Sequence, residues 1–153
     1  MPSVASTSRT PAVRTAAELA STLRVSVLRL SRRLRSQREQ FLDLPGPQVA
    51  ALLSLERHGA LTPHELADYE KVRPPSMTRI LAQLEERGLV DRGPHPSDRR
   101  QVVVSATPEG LRLIKEDRKR REAWLAQRLL ELSPGEREVL RAAAPVLEKL
   151  AGA

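Results

Sequence analysis

Asp98-Arg99-Arg100 sits in a polar, turn-rich segment between two short apolar runs, Leu89-Val90-Asp91-Arg92 and Gln101-Val102-Val103-Val104-Ser105. Arginine carries a permanent charge and a planar fork of donors that suits phosphate oxygens and guanine edges. A carboxylate two residues away can hold one guanidinium by a charged hydrogen bond. The plainer alternative is a solvated turn whose ion pair is worth little. A second grouping lies upstream in Pro75, Ser76, Thr78, Arg79 and Gln83. Its hydroxyl, guanidinium and amide groups are the kinds that reach bases and phosphates. The plainer reading of Ser76 and Thr78 is that they merely occupy the first turn of a helix.

No comparable grouping points to catalysis. The chain has no cysteine, which excludes disulfides, thiolate nucleophiles and thiol-based redox sensing. His58, His64 and His95 are scattered, with no paired carboxylate at ligand spacing, so neither a metal nor another cofactor is expected. There is no glycine-rich phosphate loop and no nucleophile–base pair.

The elements that must position these residues follow from periodicity and caps. Leu19, Leu23, Val27, Leu30 and Leu34 recur at helical steps and predict a long first helix over 15–41. A turn follows over 42–47. Val49, Leu52 and Leu53 face inward on a helix running from about Pro47 to Arg57, with Gly59 ending it. Thr62-Pro63-His64-Glu65 is a capping box opening a short helix to about Tyr69. Pro74-Pro75 opens the next helix, whose Met77, Ile80, Leu81 and Leu84 form a buried stripe before Gly88. The stripe turns Pro75, Ser76, Arg79 and Gln83 to the opposite face, with Thr78 flanking them. Leu89–Arg92 and Gln101–Ser105 then predict a β-hairpin. Thr107-Pro108-Glu109 starts a long helix to about Leu132, and Ser133-Pro134-Gly135-Glu136 caps a last one to about Leu150, which Pro145 should kink.

The 153 residues suit one domain, and Phe41, Tyr69 and Trp124 are the only aromatics. A core of Leu, Val and Ala favours packed helices over a β-sandwich. The net charge of +7 favours a polyanionic partner, nucleic acid or anionic membrane. Most of the excess lies in residues 1–41, at +6, so charge alone does not locate a nucleic-acid-reading element. No apolar run approaches the ~20 residues of a membrane span. Residues 1–14 are rich in Ser, Thr, Pro and Ala and read as a disordered tail. No secretory signal is evident, and the lack of cysteine fits a reducing cytoplasm.

Short helix, turn, helix and hairpin is the layout of a winged helix-turn-helix, whose second helix enters the DNA major groove. The stretch from Leu61 to Gly110 resembles the MarR family of transcriptional regulators. The matching residues are Leu61-Thr62, Glu65-Leu66-Ala67, Pro75–Arg79, Leu84-Glu85, Arg87–Val90, Asp98-Arg99-Arg100 and Thr107–Gly110. One departure is Ala106, where the family commonly has Leu. The resemblance implies that Ser76, Thr78 and Arg79 face the major groove, and that Arg100 enters the minor groove, oriented by Asp98. It also implies a homodimer on near-palindromic double-stranded DNA, and release by a small aromatic or anionic effector bound between the dimer helices and the DNA-binding lobe.

The expected architecture is mostly α (α+β): a winged lobe over about 47–105, with dimerisation helices over 15–41 and 107–150, forming a single domain over 15–153. The surplus of apolar residues on the terminal helices predicts the dimer. Two rivals stay open at this point. One is a ligand-independent architectural DNA binder. The other is a basic amphipathic membrane- or RNA-binding protein using the arginine-rich first helix.

Overall fold

A computed structural model describes residues 15–152; the expected tail over 1–14 lies outside the described residues. The element order is α1 Ala16–Leu42, α2 Gly46–His58, α3 Pro63–Glu70, α4 Pro74–Glu86, β1 Val90–Pro94, β2 Val102–Ala106, α5 Pro108–Leu130 and α6 Pro134–Ala151. The chain is mostly helical, as expected, with one antiparallel β1–β2 hairpin. Two compact units are distinguished, 1–35 and 36–153, and the division falls inside α1. Within the first unit the apolar stripe of α1 is not buried: Leu19, Val27 and Leu30 are exposed and Leu23 and Leu34 half-buried.

The helices start where local chemistry satisfies their free N–H groups. Thr62 Oγ1 accepts from Glu65 N at 3.2 Å while Glu65 Oε2 accepts from Thr62 N at 2.8 Å, a reciprocal capping box. Ser133 and Glu136 repeat it at the start of α6. Both carboxyls are held below the usual carboxylate range, first by the backbone N–H and then by the hydroxyl of the capping residue.

The core of the second unit is aliphatic. Val49 and Leu52 of α2, Leu66 of α3, Met77, Leu81 and Leu84 of α4, Val90 and Val104 of the hairpin, and Ile114 of α5 are all within 1% of full burial. The expected inward residues Leu53 and Ile80 are only partly buried and pack against this cluster. Leu61 adds a contribution not expected from its sequence. It exchanges two backbone hydrogen bonds with Val104, at 3.0 and 2.7 Å, so the segment before α3 extends the hairpin as a bridge.

Several boundaries differ from expectation. β1 runs through Gly93 and Pro94, which pair with Val103 and Val102. The hairpin is a two-stranded ribbon, and a strand end tolerates proline's missing N–H. α5 ends at Leu130, because the N–H groups of Glu131 and Leu132 bond back three residues, to Arg128 and Leu129. α6 continues as one element through Pro145 to Ala151.

Where hairpin and α5 meet, the packing is closest. Thr107 Oγ1 donates to Gly88 O at 2.7 Å and accepts from Gly110 N at 3.1 Å, while Thr107 N donates to Leu89 O at 3.0 Å. A Cβ at position 110 would lie 2.3 Å from Leu89 O, which explains the glycine there. Gly88, at φ +68°, turns the chain out of α4, and Leu89 N bonds back to Leu84 O.

Gly110→Ala is therefore expected to destabilise the fold by roughly 1–3 kcal/mol, as overpacking against rigid backbone does. Denaturant unfolding measures this, and an unchanged midpoint would refute the close approach. Acid should weaken the starts of α3 and α6. A depressed carboxyl contributes stability that is present above its unfolded value and lost as pH falls through the folded one. Replacing Glu65 and Glu136 together by Gln keeps an acceptor and removes the titration. The melting temperature of that variant should fall less steeply in acid than that of the parent.

Candidate nucleic-acid interface

α4 presents the first candidate group. Its N-cap, Arg73, makes no side-chain capping bond, but Pro74 and Pro75 have no N–H to satisfy, and the N–H groups of Ser76 and Met77 both reach Arg73 O. With Met77, Leu81 and Leu84 sealed into the core, the rotation of the helix is decided. Pro75, Ser76, Thr78, Arg79 and Gln83 all emerge exposed. Among the described residues the Arg79 guanidinium has no protein partner. The Thr78 hydroxyl donates to Pro74 O at 3.0 Å, which leaves it free only to accept.

Gln83 is more constrained than its sequence position suggests. Its Oε1 accepts a 2.8 Å bond from Nε2 of Gln48, a buried residue of α2. The Gln83 amide is thus turned by α2, with its NH₂ group left to donate. Gln48 had no signal in the sequence, since it falls among the apolar positions of its helix.

The hairpin tip carries the second group, and its backbone is ordered by side chains. His95 N donates to Gln101 O at 3.2 Å, and Gln101 N donates to Asp98 O at 3.0 Å. The His95 ring accepts at Nδ1 from Ser97 N and Asp98 N, each at 3.2 Å. Asp98 Oδ1 accepts from Arg100 N at 3.0 Å. This differs from the expected carboxylate–guanidinium contact. The two-residue spacing suits the local turn in which an aspartate receives the N–H two residues on, so Asp98 sets the backbone and leaves the arginine heads alone. Arg99 and Arg100 are exposed, and among the described residues neither guanidinium has a protein partner. Lower on the hairpin, Arg92 Nε donates to Glu85 Oε2 at 2.8 Å and links β1 to α4.

A third feature was not read from the sequence. Asp117 of α5 is 1% exposed, and its Oδ2 accepts from Arg38 Nε at 3.2 Å and Arg121 Nε at 2.9 Å. Arg38 lies off the apolar stripe of α1, and its sequence shows no partner because the carboxylate is 79 residues away. Beside this ion pair lies a cavity of about 90 Å³ lined by Phe41, Leu42, Leu113, Glu116, Asp117 and Arg120. The Arg120 guanidinium sits 4.6 Å above the Phe41 ring centre.

Asp117→Ala removes the shared acceptor of two cations. Because both arginines keep some contact with water, at 20% and 23% exposure, the expected loss is about 1–3 kcal/mol rather than the larger cost of a fully buried charge. A chemical unfolding curve of the variant checks it; full stability would show the pair to be inert.

Comparison with known proteins shows the family. The MarR family model matches residues 44–102, the stretch containing α4 and the hairpin tip. An HTH-type transcriptional regulator of Mycobacterium tuberculosis is 49% identical over 131 residues, covering 86% of this chain and 91% of its own. The transcriptional repressor MdtR of Bacillus subtilis is 31% identical, over 86% of this chain and 85% of its own. Among solved structures, a MarR family protein from Bacillus stearothermophilus is similar, with a TM-score of 0.71 and 28% identity, covering 92% of this chain and 97% of its own. No helix of the described residues is long and apolar enough to cross a membrane. These relatives are regulators and not enzymes, and the chain itself belongs to the MarR family of DNA-binding transcriptional regulators.

Proposed function

We propose that this regulator works in the cytoplasm as a homodimeric repressor on near-palindromic DNA, and that a small aromatic or anionic effector releases it. The observation that carries the DNA-reading part is a set of uncommitted cations on ordered backbone. Arg79, Arg99 and Arg100 are exposed without a protein partner among the described residues, as Arg57 and Arg73 also are, and they are set apart by their place on α4 and the hairpin tip; Arg38, Arg92, Arg118 and Arg121 are held by carboxylates. In this reading Pro75, Ser76, Thr78, Arg79 and the Gln83 NH₂ group face the major groove, with Arg79 the base reader. Arg100 enters the minor groove, whose potential draws arginine. Asp98 acts by shaping the turn, and Arg99 contacts phosphate.

The dimer is supported by apolar faces left uncovered in one protomer. Val139 is 68% exposed and Leu150 63%, with Leu140, Val146 and Leu147 exposed beside them on α6. A second copy covering them gives two-fold symmetry, and hence half-sites about one helical turn apart.

The cavity beside Phe41 supports the effector. A ring could rest on Phe41 and Leu113 with an acid group on Arg120, since Arg38 is already taken by Asp117. At about 90 Å³ it is smaller than the roughly 150 Å³ void that holds a benzene. Phe41 and Arg120 are exposed, so the cavity opens to solvent and a ring can seat there in part; a ligand that prefers a widened form shifts the protein toward that form.

Arg79→Ala is expected to cost about 1–3 kcal/mol of operator binding and to relax base preference. Arg100→Ala should weaken binding while leaving that preference nearly intact. Binding titrations against a palindrome and its single-base variants separate the two. Equal affinity of Arg100→Ala and parent would remove the minor-groove role. Sedimentation at micromolar concentration showing a folded monomer would remove the dimer. Arg120→Ala should abolish release by aromatic acids while leaving operator affinity within about twofold, as expected for a residue outside the DNA contacts.

A further inference from the structure

The histidine at the hairpin tip occupies a position that the DNA-contact reading does not use. His95 is half-buried, and its Nδ1 receives the N–H groups of Ser97 and Asp98, each at 3.2 Å, with Ser97 Oγ also at 3.2 Å. A ring nitrogen that accepts carries no proton, so these contacts assign the neutral tautomer with its hydrogen on Nε2. Asp98, held through its N–H by the ring, in turn holds Arg100 through its own carboxylate, Oδ1 to N at 3.0 Å. The relay therefore runs from ring to aspartate to the backbone of the arginine.

We propose that His95 is a positioning residue for the tip, and that uptake of a second ring proton releases the turn presenting Arg100. This rests on the reading that Arg100 contacts DNA. An imidazolium donates from both nitrogens and accepts at neither. Two backbone N–H groups would then face a third N–H at the same point, and the turn must open to give them water. Little of the tip is buried to resist this, since Pro96, Ser97, Arg99 and Arg100 are exposed and Asp98 is half-buried.

On the hairpin tip the charged residues beside the ring in the chain are Asp98, Arg99 and Arg100. From α3 the carboxylate of Glu65 lies within electrostatic range of it and of His64, and already receives Thr62 N and Oγ1 at its Oε2. An imidazolium also attracts phosphate without regard to shape, so total affinity is a poor readout. What should change is the share of binding that depends on Arg100.

The test is a double-mutant cycle at about pH 8 and about pH 5.5, either side of the usual histidine range. Arg100→Ala is measured in the parent, in His95→Asn and in His95→Ala. Asparagine keeps a carbonyl acceptor and does not titrate; alanine has neither property. In the parent, the loss from Arg100→Ala should be on the order of tenfold at the higher pH and fall to about threefold or less at the lower. In His95→Asn the loss should be the same at both, and in His95→Ala small at both. Without DNA, the amide resonances of Ser97, Asp98 and Arg100 should move together with the ring as it titrates. The proposal is overturned if those amides ignore the ring, or if the parent and His95→Asn show the same pH response. Should the amides follow the ring while Arg100→Ala costs nothing at either pH, the wing contact itself is wrong and the positioning role falls with it.

Discussion

Leu89 O stands 2.3 Å from the point where residue 110 would place a Cβ, and α4, the hairpin and α5 meet at that approach. Only glycine lets the first turn of α5 close on the backbone between α4 and β1. Thr107 completes the junction from the other side through Gly88 O, Leu89 O and Gly110 N. Three structures are locked at one place: the last turn of α4, the base of the hairpin and the start of α5. The junction fixes where α4 ends and the hairpin begins, while the buried stripe of Met77, Leu81 and Leu84 decides which face α4 turns outward. Ala106, short for its position beside this junction, pairs with Val90 and is only partly buried, so closure here depends on backbone approach more than on side-chain volume.

Net charge is a weak guide to where free cations lie on this protein. Arginine is used here in two ways that composition cannot separate. Some side chains are structural cations: Arg38 and Arg121 on Asp117, Arg92 on Glu85, Arg118 on Glu56, and Arg112 between Glu109 and Glu116. Others, Arg79, Arg99 and Arg100 on α4 and the hairpin tip and also Arg57 and Arg73, have no side-chain partner among the described residues. Neutralising a phosphate requires a cation whose own field is not already cancelled. The distinction between spent and available charge therefore depends on contacts, which composition does not record.

Order at the tip comes from side chains bonding to backbone. His95 and Asp98 supply the acceptors that a strand partner would otherwise provide, which lets an exposed loop hold one shape. Asp98 and Arg100 are linked through the main chain. Near the cavity a comparable economy applies, because Asp117 fixes Arg38 and leaves Arg120 as the cation over Phe41.

Most of the elements were legible in the sequence because their causes are local. A threonine or serine three residues before a glutamate, a proline in a first turn and a leucine every third or fourth residue act across one helical turn, so spacing along the chain stands for distance in space. The same applies to the stripe of Met77, Leu81 and Leu84, and through it to the outward placing of Ser76 and Arg79. Where the cause is remote, the sequence was silent. Gln48 reaches Gln83 across 35 residues and Arg38 reaches Asp117 across 79, while the Leu61 bridge to Val104 exists only once α3 has packed against the hairpin. Asp98 lies between the two cases: its spacing from Arg100 was plain, but whether it would bind the side chain or the amide depended on the turn. These choices were left to tertiary structure because a buried polar group takes whichever partner the packing of apolar faces brings within 3 Å, and chain order does not record which that will be.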